Sequence, residues 1–172
     1  MAAVLALVVP VATRAASDAE LVTDARKTLA VFQKNDPDLA KFAARSAGYA
    51  VFPTITKGAI GVGGAHGTGV LFVKGKAMGK ASLTQVTIGA QLGGQEYSEV
   101  IFFETASAVA DFEKGNTALS AQAAAVALKS GASADAKYQG GVAVFTATKG
   151  GLMADASVGG QKFGYEPFAH PH

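Results

Sequence analysis

Apolar and polar positions change rhythm once along the chain, near Tyr49. Before it, Leu21, Ala25, Leu29 and Phe32 recur at helical spacing and mark one apolar stripe. Ser17 and Glu20, just ahead of the stripe, read as a capping box that opens this helix by satisfying two orphan amides. Asp18, Glu20 and Asp24 lie early and Arg26, Lys27 and Lys34 late, the polarity that suits the helix dipole. Asp36 followed by Pro37 predicts a second, shorter helix ending near Gly48, with Leu39, Phe42 and Ala43 on its buried side.

From Tyr49 onward, short runs of Val, Ile, Phe and Thr are punctuated by glycine, the texture of strands and turns. Val70–Val73 and Val100–Phe103 are unbroken apolar runs, expected of strands covered on both faces. Val86, Ile88, Ala90 and Leu92 alternate with Thr87, Gly89, Gln91 and Gly93, predicting a strand with one apolar face, and Gly93-Gly94 predicts a tight turn. Thr105 is placed to cap a short helix with Val109 and Phe112 buried and Gly115 as its stop. Ala121–Lys129 is Ala-rich without a clean stripe and stays ambiguous. Strands resume at Val142–Thr148, Leu152–Val158 and Lys162–Tyr165. Val51-Phe52 to Lys57-Gly58 is echoed, one residue shorter, by Val144-Phe145 to Lys149-Gly150, which leaves both a pseudo-symmetric sheet and chance similarity open. The expected architecture is α+β: a large antiparallel, glycine-rich sheet or partly closed barrel, N-terminal helices packed on it, and a short helix near 105–114.

Composition narrows the function classes. At 49% hydrophobic and 16% charged residues, the chain of 172 residues buries a real core and is no disordered segment. Fifteen basic residues against 13 acidic give a net charge of +2, without the excess that nucleic-acid binding needs. With no cysteine, disulfides, Cys-ligated metals and thiol catalysis drop out. The run Ala2–Ala12, interrupted by Pro10, falls short of the roughly 20 apolar residues of a spanning helix. It has the length of a signal-peptide core, with a small-residue cleavage site after Ala15, although no Lys or Arg precedes it. Residues 1–16 are therefore read as a leader and 17–168 as one domain. That makes the protein exported, periplasmic or associated with the outer membrane; the bland alternative is a packed or frayed N-terminal segment. With no cysteine behind the run, no lipid anchor is expected on the chain as given.

The chemistry-bearing patterns are sparse. Gly58–Gly69 invites a phosphate-loop reading but fails on spacing: the dinucleotide fingerprint from Gly61 needs glycine where His66 stands. It is better read as glycine-rich strands that other groups approach closely. His66 has no nucleophile elbow to serve. Glu96, Glu99 and Glu104 are read as solvent-facing rather than as an acid–base pair, so no enzyme and no cofactor is expected. The most informative cluster is Lys74-Gly75-Lys76-Ala77-Met78-Gly79-Lys80, read as a hairpin loop with three lysines around an exposed methionine. A basic loop with an apolar tip suits an anionic membrane surface, at roughly 1 kcal/mol per lysine. Lys57 and Lys149 are its candidate helpers; the bland alternative is a solvated turn.

Taken in order, Val51–Gly58, the glycine-spaced stretch Gly61–Gly69, Val70–Val73, Gly79-Lys80, Val86–Gly93, Gly141–Leu152 and Ala156–Val158 resemble the SYLF, or Ysc84 actin-binding, domain family over about residues 21–165. The resemblance implies a lipid-binding module: eukaryotic members bind phosphoinositides, partly through an N-terminal amphipathic helix, and some bind actin. Bacterial members are commonly exported proteins or lipoproteins. This chain has no lipobox cysteine, and its first helix is mixed in charge. The reading is a non-enzymatic module for anionic phospholipid in the bacterial cell envelope, with no nucleic-acid partner, no actin partner expected and a homo-oligomer compatible. The alternative is a structural or protein-interaction module of the envelope.

Overall fold

The structure, a computed structural model, describes residues 11–57, 64–86, 95–119, 125–148 and 158–172. The first helix, α1, runs Val11–Asn35, and α2 runs Leu39–Arg45. Four strands follow: β1 (Gly48–Lys57), β2 (Gly64–Val73), β3 (Lys76–Val86) and β4 (Gln95–Phe103). After them come α3 (Ala106–Glu113), the two-residue β5 (Val126–Ala127), β6 (Val142–Thr148) and β7 (Gln161–Pro167). The strands form one seven-stranded sheet in the order β5-β6-β4-β1-β2-β3-β7, antiparallel except where β5 joins β6. The expected α+β class with a large antiparallel sheet is what the structure has.

Each face of the sheet carries its own core. On one face Val51, Val70, Phe72, Val100, Phe102 and Phe145 meet Val22, Ala25 and Phe32 of α1 and Leu39 and Phe42 of α2. Rings pack there at 5.2 Å (Phe42–Phe102), 5.5 Å (Phe42–Phe145) and 5.7 Å (Phe102–Phe145). The opposite face gathers Phe52, Ile55, Leu71, Leu83, Tyr97, Ile101, Phe103 and Phe163 with Val109 and Phe112 of α3. This two-sided burial is why Val70–Phe72 and Val100–Phe103 are unbroken apolar runs.

The second face is concave. Four steps separate β4 from β7 in the strand order, about 19 Å in a flat sheet. Yet the Gln161 side chain of β7 donates to the Glu99 carboxyl of β4 at 3.0 Å. Phe52 of β1 likewise reaches Phe163 of β7, with ring centroids 6.0 Å apart. The sheet therefore curls until β7 faces β4, and it does not close. Phe112 of α3 fills the gap, 4.9 Å from Phe103 and 5.3 Å from Phe163. Behind α3, the Leu119 amide donates to the Gln161 carbonyl at 3.4 Å and covers part of β7's outer edge. Glycine makes the curl passable. A Cβ at Gly69 would collide with the Val51 carbonyl oxygen and sit 2.7 Å from the Phe52 ring, where a bulge shifts the register of β1. Pro53, which has no N–H to give to the ladder, sits in that bulge, and Ser98 donates its hydroxyl to the Pro53 carbonyl at 2.6 Å.

Several local expectations need correction. The first helix begins at Val11, not at Ser17, so Ser17 and Glu20 lie inside it rather than at its cap. Alanines at 12, 15 and 16 favour continuing the helix upstream. Its buried stripe is Val22, Ala25 and Phe32, with Leu21 and Leu29 packed at the margin. The second helix stops at Arg45. The third matches its reading closely: Thr105 accepts from the Ala108 amide at 3.1 Å, Val109 and Phe112 are buried, and Gly115 follows at φ +73°. Of the ambiguous stretch 121–129, the described part holds β5 and no helix. The strand tail 87–92, the Gly93-Gly94 turn and most of 152–158 lie outside the described residues; Val158 is buried beside β7.

Candidate functional site

The basic cluster sits where β2 turns into β3. The turn is only two residues long, Lys74 at φ 52° and Gly75 at φ 75°, both left-handed as a tight hairpin turn demands. The loop expected over residues 74–80 is thus a correction: from Lys76 on, the chain is strand, because its backbone pairs with β2 and β7. Lys74, in the turn, and Lys76, just after it, are both exposed. Arg26 of α1 braces it from behind. Its guanidinium lies 5.0 Å over the Phe72 ring and donates to the carbonyls of Gly75 at 3.2 Å and His172 at 3.3 Å. The segment 168–172 pairs alongside, with the Phe168 amide donating to the Met78 carbonyl at 3.0 Å and the His172 amide to the Ala77 carbonyl at 3.0 Å.

The remaining expected residues are dispersed. Met78 is half-buried in β3 rather than an exposed tip. The Lys80 ammonium is partly buried in an ion pair with Asp18 of α1, at 3.1 Å. Lys57 ends β1 at the far end of the sheet. At about 3.3 Å per residue, the ten residues of β1 put it about 30 Å from the hairpin turn. Lys149 lies outside the described residues. The structure brings together Lys74, Lys76 and Arg26, and separates them from Lys57 and Lys80. A recess of about 320 Å³ lies between α3, residues 116–119 and β6, a second of about 270 Å³ adjoins it between Leu119, Val126, residues 135–139 and β6, and none of the expected lysines lines either.

A second polar site escaped the sequence reading. Glu99 is fully buried on the concave face, not solvent-facing. Gln161 donates through Nε2 to Glu99 Oε2 at 3.0 Å and to the Tyr97 hydroxyl at 3.4 Å. Lys57, Ala65, Gln85 and Gln161 stand in register across β1, β2, β3 and β7, so amides and an ammonium rim this end of the concavity. The Lys57 ammonium lies 5.6 Å over the Tyr97 ring. Burial pushes the Glu99 carboxyl up to about 8, although the Gln161 hydrogen bond and the Lys57 charge pull the other way. Burial first, and the neighbouring Glu99 charge second, raise the Tyr97 phenol as well. A signal was present: in the alternation of β4, Glu99 shares parity with Tyr97, Ile101 and Phe103, all inward. Glu96 and Glu104 are exposed as expected, and His66 is an exposed residue of β2 between Thr56 and Thr84. Among the described residues no cluster of His, Asp or Glu is able to hold a metal ion.

Residues 84–166 match the family model of the Ysc84 domain, described as Las17-binding protein actin regulator. Over this segment, just under half of the chain, the protein is similar to the SYLF family. A SYLF-type relative, beta cell expansion factor A of Aeromonas veronii, is 33% identical over 76 residues, 44% of this chain and 29% of that protein. The chain thus spans less than a third of that relative's length. The SYLF match takes in β4, α3, β6 and nearly all of β7, and with them Tyr97, Glu99 and Gln161. The basic hairpin and Lys57 precede it.

Proposed function

We propose that this protein is a SYLF-type, non-enzymatic binding module that meets anionic phospholipid head groups at the β2–β3 hairpin. The observation that carries the reading is the pair Lys74 and Lys76, exposed within and just after a two-residue turn that Arg26 holds from behind. A stiff turn loses little freedom on docking, so its charges act together. At roughly 1 kcal/mol per basic residue, these three give about 3 kcal/mol, weaker than a millimolar constant. One copy therefore binds weakly and salt-sensitively, and firm attachment needs several copies on one surface. Liposome co-sedimentation tests this. Binding to phosphatidylserine vesicles is expected at low salt, with loss near 0.5 M salt as screening shortens and no binding to neutral vesicles. The K74E/K76E variant is expected to lose binding while K57E, at the far end of the sheet, keeps it. Equal binding by wild type and K74E/K76E would overturn the reading. Export to the cell envelope belongs to the same proposal and is checked by fractionating the expressing bacterium.

A second reading rests on the sheet edge. β5, the last strand at this end of the sheet, is two residues long and has no further strand partner among the described residues. Such an edge favours pairing with another chain. Light scattering separates the two: a mass that grows with concentration, insensitive to salt and lipid, favours the protein-interaction module.

A further inference from the structure

Glu99 and Gln161 meet in a way that one hydrogen bond does not complete. Both side chains have zero exposure. Gln161 Nε2 donates to Glu99 Oε2 at 3.0 Å, while Glu99 Oε1 and Gln161 Oε1 are buried without a hydrogen-bond partner among the described residues. Two acceptor oxygens left over on one bonded pair is a costly arrangement in a dry interior, where an unmet polar atom loses its water and gains nothing. A proton on Glu99 Oε1 removes the difficulty. The acid then donates to Gln161 Oε1 while the amide donates to Glu99 Oε2, and each group satisfies the other.

We propose that Glu99 keeps its proton in the folded protein and closes a two-bond acid–amide ring with Gln161, a clasp that holds β7 across the concavity from β4. The clasp opens when the proton leaves, because two oxygens of a carboxylate then face one carbonyl. The surroundings suit it. From β1 comes Lys57, the charge that pulls toward ionisation; from β4, Tyr97, whose hydroxyl shares the Gln161 amide; from β3, Gln85, neutral and donating to the Gly159 carbonyl at 2.9 Å. β2 and α3 present Ala65, Leu71 and Phe112, all apolar. The Lys57 ammonium is engaged with the Tyr97 ring, and among the described residues no cation forms an ion pair with the carboxyl. The inference stands apart from the phospholipid reading: the pair is buried and far from the hairpin.

Two measurements test it. The Glu99 side-chain carboxyl carbon, followed by NMR in the wild-type protein, is expected to report the protonated form at pH 6 and to titrate near pH 8; titration in the ordinary carboxylate range overturns the proposal. Urea unfolding is then compared across pH 5–8 in wild type, E99Q and the swap E99Q/Q161E. Relative to E99Q, whose amide–amide ring has no proton to lose, the wild-type unfolding constant is expected to rise about tenfold per pH unit. The swap rebuilds the ring with its ends exchanged and is expected to regain that slope. A wild-type slope equal to that of E99Q, or a swap that stays flat or fails to fold, removes the clasp.

Discussion

At Gly69 the curled sheet leaves no room for a side chain. A Cβ there meets the Val51 carbonyl and the Phe52 ring, both fixed by the bulged strand beside it. G69A is therefore expected to cost about 2 kcal/mol, in the range of overpacked cores, read as a drop in the urea midpoint. Lys80 is the counterexample. Its ion pair with Asp18 joins β3 to α1 at the protein margin, where such pairs contribute about 0.5–1 kcal/mol. K80A should lower the midpoint by only that much and should leave vesicle binding nearly intact, because Lys80 is already neutralised.

Among the elements, α3 and the β2–β3 hairpin carry their own local instructions. The Thr105 hydroxyl caps α3 by accepting the Ala108 amide, so T105A is expected to cost about 1 kcal/mol, measured by thermal or urea unfolding. In the hairpin, Lys74 occupies a left-handed conformation that asparagine adopts more readily. K74N is expected to raise stability by a few tenths of a kcal/mol while weakening binding to anionic vesicles. A loss of stability in K74N would mean that the turn is held by something other than its backbone. The first helix runs the other way: a good capping pattern at Ser17 is overridden because the alanines before it extend the helix to Val11.

For the molecule as a whole, the docking of β7 over β4 decides the shape. Phe163 stands at the joint, packed against Phe52 of β1 and Phe112 of α3. F163A is expected to cost about 3–4 kcal/mol, and faster amide exchange should appear in β7 and residues 117–119 before it does in α1. The same joint carries a pH dependence. Glu99, at 4.5 when unfolded and about 8 when folded, lets the native state hold a proton that the unfolded state has lost. Stability from this group is complete below about pH 4.5 and falls by about 1.4 kcal/mol per unit as pH rises through that window. The loss levels off above pH 8. A stability curve rising from pH 5 to 8 would contradict the burial of this carboxyl.

The chain's own pattern determined the α+β class, the helical N-terminal part, α3 with its cap and stop, and the strands buried on both faces. Those properties follow from spacing along a few residues: 3.6-fold stripes, unbroken apolar runs, a Thr and a Gly at the right offsets. The SYLF resemblance was likewise readable from ordered short motifs. Tertiary structure alone decided which charges stand together. Lys57 and Lys74 looked alike in sequence, but strand register puts them at opposite ends of β1's length, and α1 packing pairs Lys80 with Asp18. It also decided that a glutamate in β4 would face a glutamine of β7. Burial of Glu99 depends on the curl that folds distant strands onto one another, and no local pattern encodes a contact between residues 62 apart.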